Sequence, residues 1–128
     1  MKTHIVISIF IIVILTGCAT TPTKEQLASI GYGNPLTIDY QKAIKDYFEI
    51  SLFDPFSAQY KFETPGEYWA KEPPLLGSRL YAGYGVPVSV NAKNRYGAYV
   101  GYQKYIFIFR DDKIIKVITP SELRLMKR

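Results

Sequence analysis

The chain has 128 residues, 48% hydrophobic and 21% charged, with a net charge of +5. This is the balance of a globular chain with room for one domain and one core. A single cysteine, Cys18, excludes an internal disulfide, and a single histidine, His4, leaves little of the commonest general base or of the commonest zinc ligands.

Lys2 precedes an apolar run from Ile5 to Leu15 that only Ser8 interrupts, and Leu15-Thr16-Gly17-Cys18 closes it. The run is far short of the roughly 20 residues that span a bilayer. A basic start, a short apolar stretch and small residues before a cysteine form a bacterial lipoprotein signal, residues 1–17, with Cys18 as the acylated first residue of the mature chain. A thiol is required there because its sulfur forms the thioether to diacylglycerol. Two or more acyl chains hold a protein stably at a membrane. Cleavage discards His4, and acylation consumes the only thiol. No catalytic set, metal or cofactor is expected, since the carboxylates also lack the Asp-x-Asp-x-Asp spacing of a calcium loop. Ala19 lacks the aspartate that retains lipoproteins at the inner membrane, so the expected address is the outer membrane, facing the periplasm.

Residues 18–34 are rich in Thr, Ala, Gly and Pro and read as a flexible tether with a reach of roughly 20–25 Å. Residues 35–128 are the folded domain. Thr37 is the expected N-cap of a helix. Tyr40, Ala43, Ile44, Tyr47, Phe48 and Leu52 form an apolar stripe at helical spacing, opposite Gln41, Lys42, Lys45, Asp46 and Glu49. The helix ends before Asp54-Pro55, because a residue preceding proline avoids helical angles.

Ala58 to Phe62 alternates as a strand. Residues 64–78 hold Pro65-Gly66, Pro73-Pro74 and Gly77, and read as an ordered loop or short edge pieces, with Tyr68 and Trp69 either covering the core or exposed. Val86, Val88 and Val90 give a strand that Pro87 places at an edge or distorts locally. Tyr99 to Phe109 is the longest strand, apolar on both faces from Tyr105 onward. Arg110 to Lys113 is a tight turn into a strand ending at Ile118, and Pro120 opens a short basic helix. The predicted fold is α+β: one long amphipathic helix packed on a mostly antiparallel sheet of about four strands.

The stretch from Val90 to Tyr102 is the candidate functional region. Asn91 and Asn94 suit a tight connection, and Gly97 and Gly101 permit close backbone approach. Tyr96, Tyr99 and Tyr102 alternate with Lys93, Arg95 and Lys104. Asn91, Lys93, Asn94, Tyr96, Tyr99 and Tyr102 form either a binding face, since Tyr and Arg favour binding hot spots, or a structural turn whose tyrosines rim the sheet. Residues 18–92 sum to −2 and residues 93–128 to +6, which suits an anionic partner: lipid headgroup, glycan carboxylate or acidic protein surface. Nucleic acid does not meet an exported lipoprotein. Ser57, Ser78 and Ser89 coexist with lysines, but nothing in the sequence pairs them for catalysis.

Asp54-Pro55-Phe56-Ser57-Ala58, followed by Val90-Asn91-Ala92-Lys93-Asn94-Arg95-Tyr96-Gly97-Ala98-Tyr99-Val100-Gly101-Tyr102, resembles the DPxSA and VNAKNxYGGYxGY pattern of a largely uncharacterised group of small proteobacterial lipoproteins. The likeness covers roughly residues 38–109. Members of that group often carry a cysteine in the strand before the second motif and a glycine where this chain has Ala98. Here that strand holds valines and a serine, so any role of that cysteine is missing. The resemblance implies a membrane-anchored envelope lipoprotein. The expected function is a non-enzymatic binding or docking module with an envelope protein partner. The alternative is a subunit of a trans-envelope assembly such as a secretion-system core complex. Less favoured is an enzyme or inhibitor acting on envelope components.

Overall fold

The computed structural model describes residues 21–126. The signal at 1–17 and Cys18 lie outside the described residues. The elements are α1 (Lys24–Ile30), α2 (Tyr40–Ser51), β1 (Gln59–Phe62), β2 (Gly66–Lys71), β3 (Leu80–Asn91), β4 (Gln103–Arg110), β5 (Lys113–Ile118) and α3 (Pro120–Met126). The fold is α+β, with an antiparallel sheet of five strands.

The apolar stripe of α2 seats Ile44 and Phe48 fully inside. They meet Val86, Val88 and Val90 of β3 and Phe107 and Phe109 of β4. Phe48 makes edge contacts with Tyr47, Tyr105 and Phe107 at centroid distances of 5.1–5.5 Å, a geometry that aromatic quadrupoles favour. The cap differs from expectation. Asp39, and not Thr37, accepts the N–H of Lys42 at 3.0 Å. Thr37 instead donates both its backbone N–H, at 2.9 Å, and its hydroxyl to the Asp112 carboxylate, because the β4–β5 turn lies against this segment.

β3 is the longest strand and is central, which corrects the first of the two expectations for Val86–Val90, an edge or a local distortion at Pro87. One side of β3 pairs with β4 over its C-terminal two-thirds. Its other side is shared: β1 pairs Val88 to Asn91, and β2 pairs Leu80 to Gly85. Pro87 falls where the two short strands meet. Its carbonyl accepts the N–H of Glu63 at 2.9 Å. In a strand a residue's N–H and C=O point to the same side, so the donor that proline lacks faces Glu63, just past the end of β1, and only the reciprocal bond of that one pair is missing. Val86–Val90 therefore offers no free edge to a partner chain.

β4 lies between β3 and β5 and is covered on both faces, as its double-sided apolar run requires. Phe107 and Phe109 face α2. Ile106 and Ile108 join Ala70 and Ile118 on the other face, beneath Tyr68, Ile115 and Leu123. Residues 66–71 thus form an edge strand, the second of the two readings, ordered loop or short edge pieces, for this segment. A Cβ on Gly85 would fall 2.3 Å from the Tyr68 ring, so glycine leaves the space in which Tyr68 covers this second face. Asp111 and Asp112 both take positive φ, at 49° and 60°, which makes the hairpin turn.

The coil expected for residues 18–34 is corrected within its described part. α1 opens with a capping box, in which Thr23 and Gln26 satisfy each other's backbone N–H groups. The Arg110 guanidinium then donates to Ile30 O at 2.7 Å, Gly31 O at 3.2 Å and Ala82 O at 3.1 Å. This segment is tied to the hairpin end of the sheet.

Candidate functional site

Gln59 pairs with Asn91, and Val90 with Gln103. The start of β1, the end of β3 and the start of β4 therefore share one end of the sheet. The segments around residues 52–58 and 92–102 meet there and form a tip. It is built from the two sequence motifs, which lie far apart in the chain.

Asp54 caps the turn Pro55–Ser57, its carboxylate accepting the Ser57 N–H at 3.3 Å. The Ser57 hydroxyl donates to Asp54 O at 2.9 Å and accepts the Lys93 N–H at 2.8 Å. The Tyr99 hydroxyl donates to Ser57 O at 3.1 Å. Ser57 thus clamps the second motif to the first.

Within the second motif, Asn91 Oδ1 accepts the Gly101 N–H at 3.0 Å. Asn94 Oδ1 accepts the N–H groups of Tyr96 at 2.9 Å and Ala98 at 3.2 Å. Gly97 and Gly101 have φ of 75° and 90°, angles that cost most residues and cost glycine little. Lys93 and Tyr99 bridge across the loop. The two asparagines therefore build the turn, and their carboxamide oxygens face the backbone.

The outward groups are of another kind. Phe56 is 98% exposed, Tyr96 85%, Phe53 73% and Val100 56%. Tyr99 and Tyr102 are nearly half exposed, but their hydroxyls are held, Tyr102 by Gln59 Oε1 at 3.4 Å. Cations lie over both rings: Lys93 Nζ is 5.5 Å from the Tyr99 centroid, and Lys61 Nζ is 3.9 Å from that of Tyr102. Arg95 is exposed beside them. A cleft of about 210 Å³ opens next to this surface, lined among others by Leu52, Phe53, Lys93, Val100 and Tyr105. Burial, and then the nearby Tyr47 hydroxyl, pushes the Tyr105 hydroxyl above its ordinary value.

Lys93, Tyr96, Tyr99 and Tyr102 are thus brought to one surface. Phe53, Phe56 and Val100 belong to it and were missed by sequence reasoning. Two phenylalanines flanking Asp54-Pro55 were the available signal, since apolar side chains at a turn need a reason. Chemically the tip offers flat aromatic faces, an aliphatic patch, two ammonium groups and a guanidinium. Among the described residues no cluster of three or more His, Cys, Asp or Glu could hold a metal ion. No family model, curated protein or solved structure matches this chain.

Proposed function

We propose that this chain is a non-enzymatic envelope lipoprotein, anchored through acyl chains on Cys18 at the periplasmic face of the outer membrane, and that its tip docks another envelope component. The carrying observation is the inversion of polarity at the tip. Side-chain oxygens of Asp54, Ser57, Asn91 and Asn94 turn inward to the backbone, while Phe53, Phe56, Tyr96 and Val100 face solvent.

Apolar groups exposed together on a rigid base are the usual composition of a recognition surface. Rigidity matters because rings already held in place lose little conformational freedom on binding. Lipid anchoring adds effective concentration in two dimensions, so a modest interface suffices. The lipobox and the likeness of the two motifs to small proteobacterial lipoproteins support the address.

The test is crosslinking and affinity purification from detergent-solubilised membranes, with wild type, Cys18→Ser and Tyr96→Ala/Tyr99→Ala compared. A stoichiometric partner that disappears in the tyrosine variant, with the thermal unfolding transition retained, is the expected result. Release of Cys18→Ser from the membrane fraction is expected alongside it. A clean monomer in every sample would sink the docking reading and turn the search to a small ligand.

A further inference from the structure

We infer that the tip points away from the membrane that holds the lipid, and that it engages an acidic protein surface standing off that membrane. This rests on the reading of Cys18 as the anchor. The N-terminal segment joins the domain at the opposite end from the tip. Arg110, which holds Ile30 and Gly31, is the last residue of β4, and Gln103, at the tip, is the first. The Thr37–Asp112 contact lies at the Arg110 end as well.

Seven strand steps separate the two ends by about 23 Å, and the Lys93–Tyr99 bridge, three residues past the Val90–Gln103 pair, extends the loop carrying Tyr96 by roughly 10 Å more. α1 is about 10 Å long. Were it to run entirely toward the tip, Tyr96 would still lie about 23 Å from the start of the helix. The chain from Cys18 to Thr23 is five steps, at most ~18 Å when extended. Pro22 is moreover buried, which shortens the free leash. The tip is thus kept from turning head-on into its own membrane, which leaves it free to face the space beyond.

The partner's chemistry follows from the cations that take part in no ion pair at the tip. Lys61, Lys93 and Arg95 take part in none of the ion pairs among the described residues, which are Lys42–Asp46, Lys104–Glu63 and Lys116–Glu122. Asp54, the acid of these loops, is occupied in capping Ser57. The surface is therefore cationic and calls for carboxylates. Phe53, Phe56 and Val100 have no hydrogen-bonding atom in their side chains, so sugar hydroxyls gain little from them, whereas apolar side chains between acidic ones bury them fully. An acidic protein segment carrying aliphatic or aromatic residues fits both requirements.

The test uses the full-length lipidated protein in phosphatidylethanolamine/phosphatidylglycerol nanodiscs. A random peptide library is selected on wild type, on Lys93→Glu/Arg95→Glu and on Phe56→Ser/Tyr96→Ser, each checked for an unchanged thermal transition. In parallel, fluorophores on Arg95→Cys and Lys113→Cys are quenched by headgroup-labelled lipid. The expected result is enrichment of acidic, apolar-containing peptides whose affinity falls about tenfold or more in either variant, with strong quenching at residue 113 and weak quenching at residue 95.

Equal quenching at both positions overturns the inference. So do selected peptides without acidic enrichment, peptides indifferent to both variants, or a tip that prefers phosphatidylglycerol vesicles or an anionic polysaccharide to every peptide. In those outcomes the anchored-module reading stands. A chain that never partitions into nanodiscs overturns the anchor and this inference together.

Discussion

The two ends of the sheet are both tied by long-range hydrogen bonds, yet the bonds serve opposite purposes. At the hairpin end, charged groups reach across the chain: Arg110 grips the carbonyls of Ile30 and Gly31, and Asp112 receives Thr37. Those bonds attach one segment to the domain, and the large apolar groups most exposed at that end among the described residues, Leu75 and Leu76, are aliphatic. At the tip the bonds are made mostly by neutral side chains, Ser57, Asn91 and Asn94. They stiffen two loops whose apolar side chains then face solvent. A fold that needed only to close its loops would not expose Phe56 and Tyr96 so fully. Satisfying the backbone and presenting a surface are separate tasks, and the tip does both with aromatic side chains and cations beside them.

The two ends are joined by the core between α2 and the sheet. Phe48→Ala, at the centre of the α2–sheet core, is expected to cost about 3–5 kcal/mol. Urea unfolding measures this, and hydrogen exchange should show both ends losing protection together.

Arg110→Met should act at one end. Loss of charge-assisted bonds to three carbonyls is expected to cost about 1.5–3 kcal/mol. Exchange should rise in residues 24–37 and not in 91–102. Ser57→Ala is the counterpart at the tip, leaving the Lys93 N–H without its acceptor at a cost of about 1–2 kcal/mol. Exchange at the Lys93 amide should rise while that around Arg110 stays unchanged.

Acid separates the ends more gently. The hydroxyl and backbone N–H of Thr37 hold the Asp112 carboxyl below its ordinary value. A depressed folded value means that this contribution is present above about pH 4, the unfolded range, and is lost as pH falls through the lowered value. Hydrogen exchange of residues 36–38 against pH should show it, and Asp112→Asn should remove the dependence.

The smallest effect on stability is expected at Tyr96. Tyr96→Ala, at an exposed ring, should stay within about 0.5 kcal/mol of wild type in urea while partner binding falls. A large loss of stability would make that ring part of the scaffold and would undo the contrast between the two ends.

Legibility followed locality. The stripe from Tyr40 to Leu52, the turn at Asp111-Asp112 and the double-faced run from Tyr105 to Phe109 could be read because the signal for each lies within a dozen residues. Helical spacing, turn chemistry and unbroken hydrophobicity are properties of neighbours. The turn-forming character of Asn91 and Asn94 was readable for the same reason, since their bonds reach ten residues at most.

Tertiary structure decided the rest. Pro87 pointed to an edge or a local distortion by local rule, and the meeting of β1 and β2 beside it allows a central strand. Thr37 had the chemistry of a cap, but Asp112, 75 residues away, claimed it. Residues 24–30 had the composition of a tether, and Arg110, 80 residues from Ile30, holds them down. Ser57 and Lys93 lie 36 residues apart. By itself the sequence determined the long helix, the strands with strong alternation or unbroken hydrophobicity, and which side chains could bond; the helix at residues 24–30, and which partner each group found, depended on how the sheet folded back on itself, because no local pattern encodes a contact made across the fold.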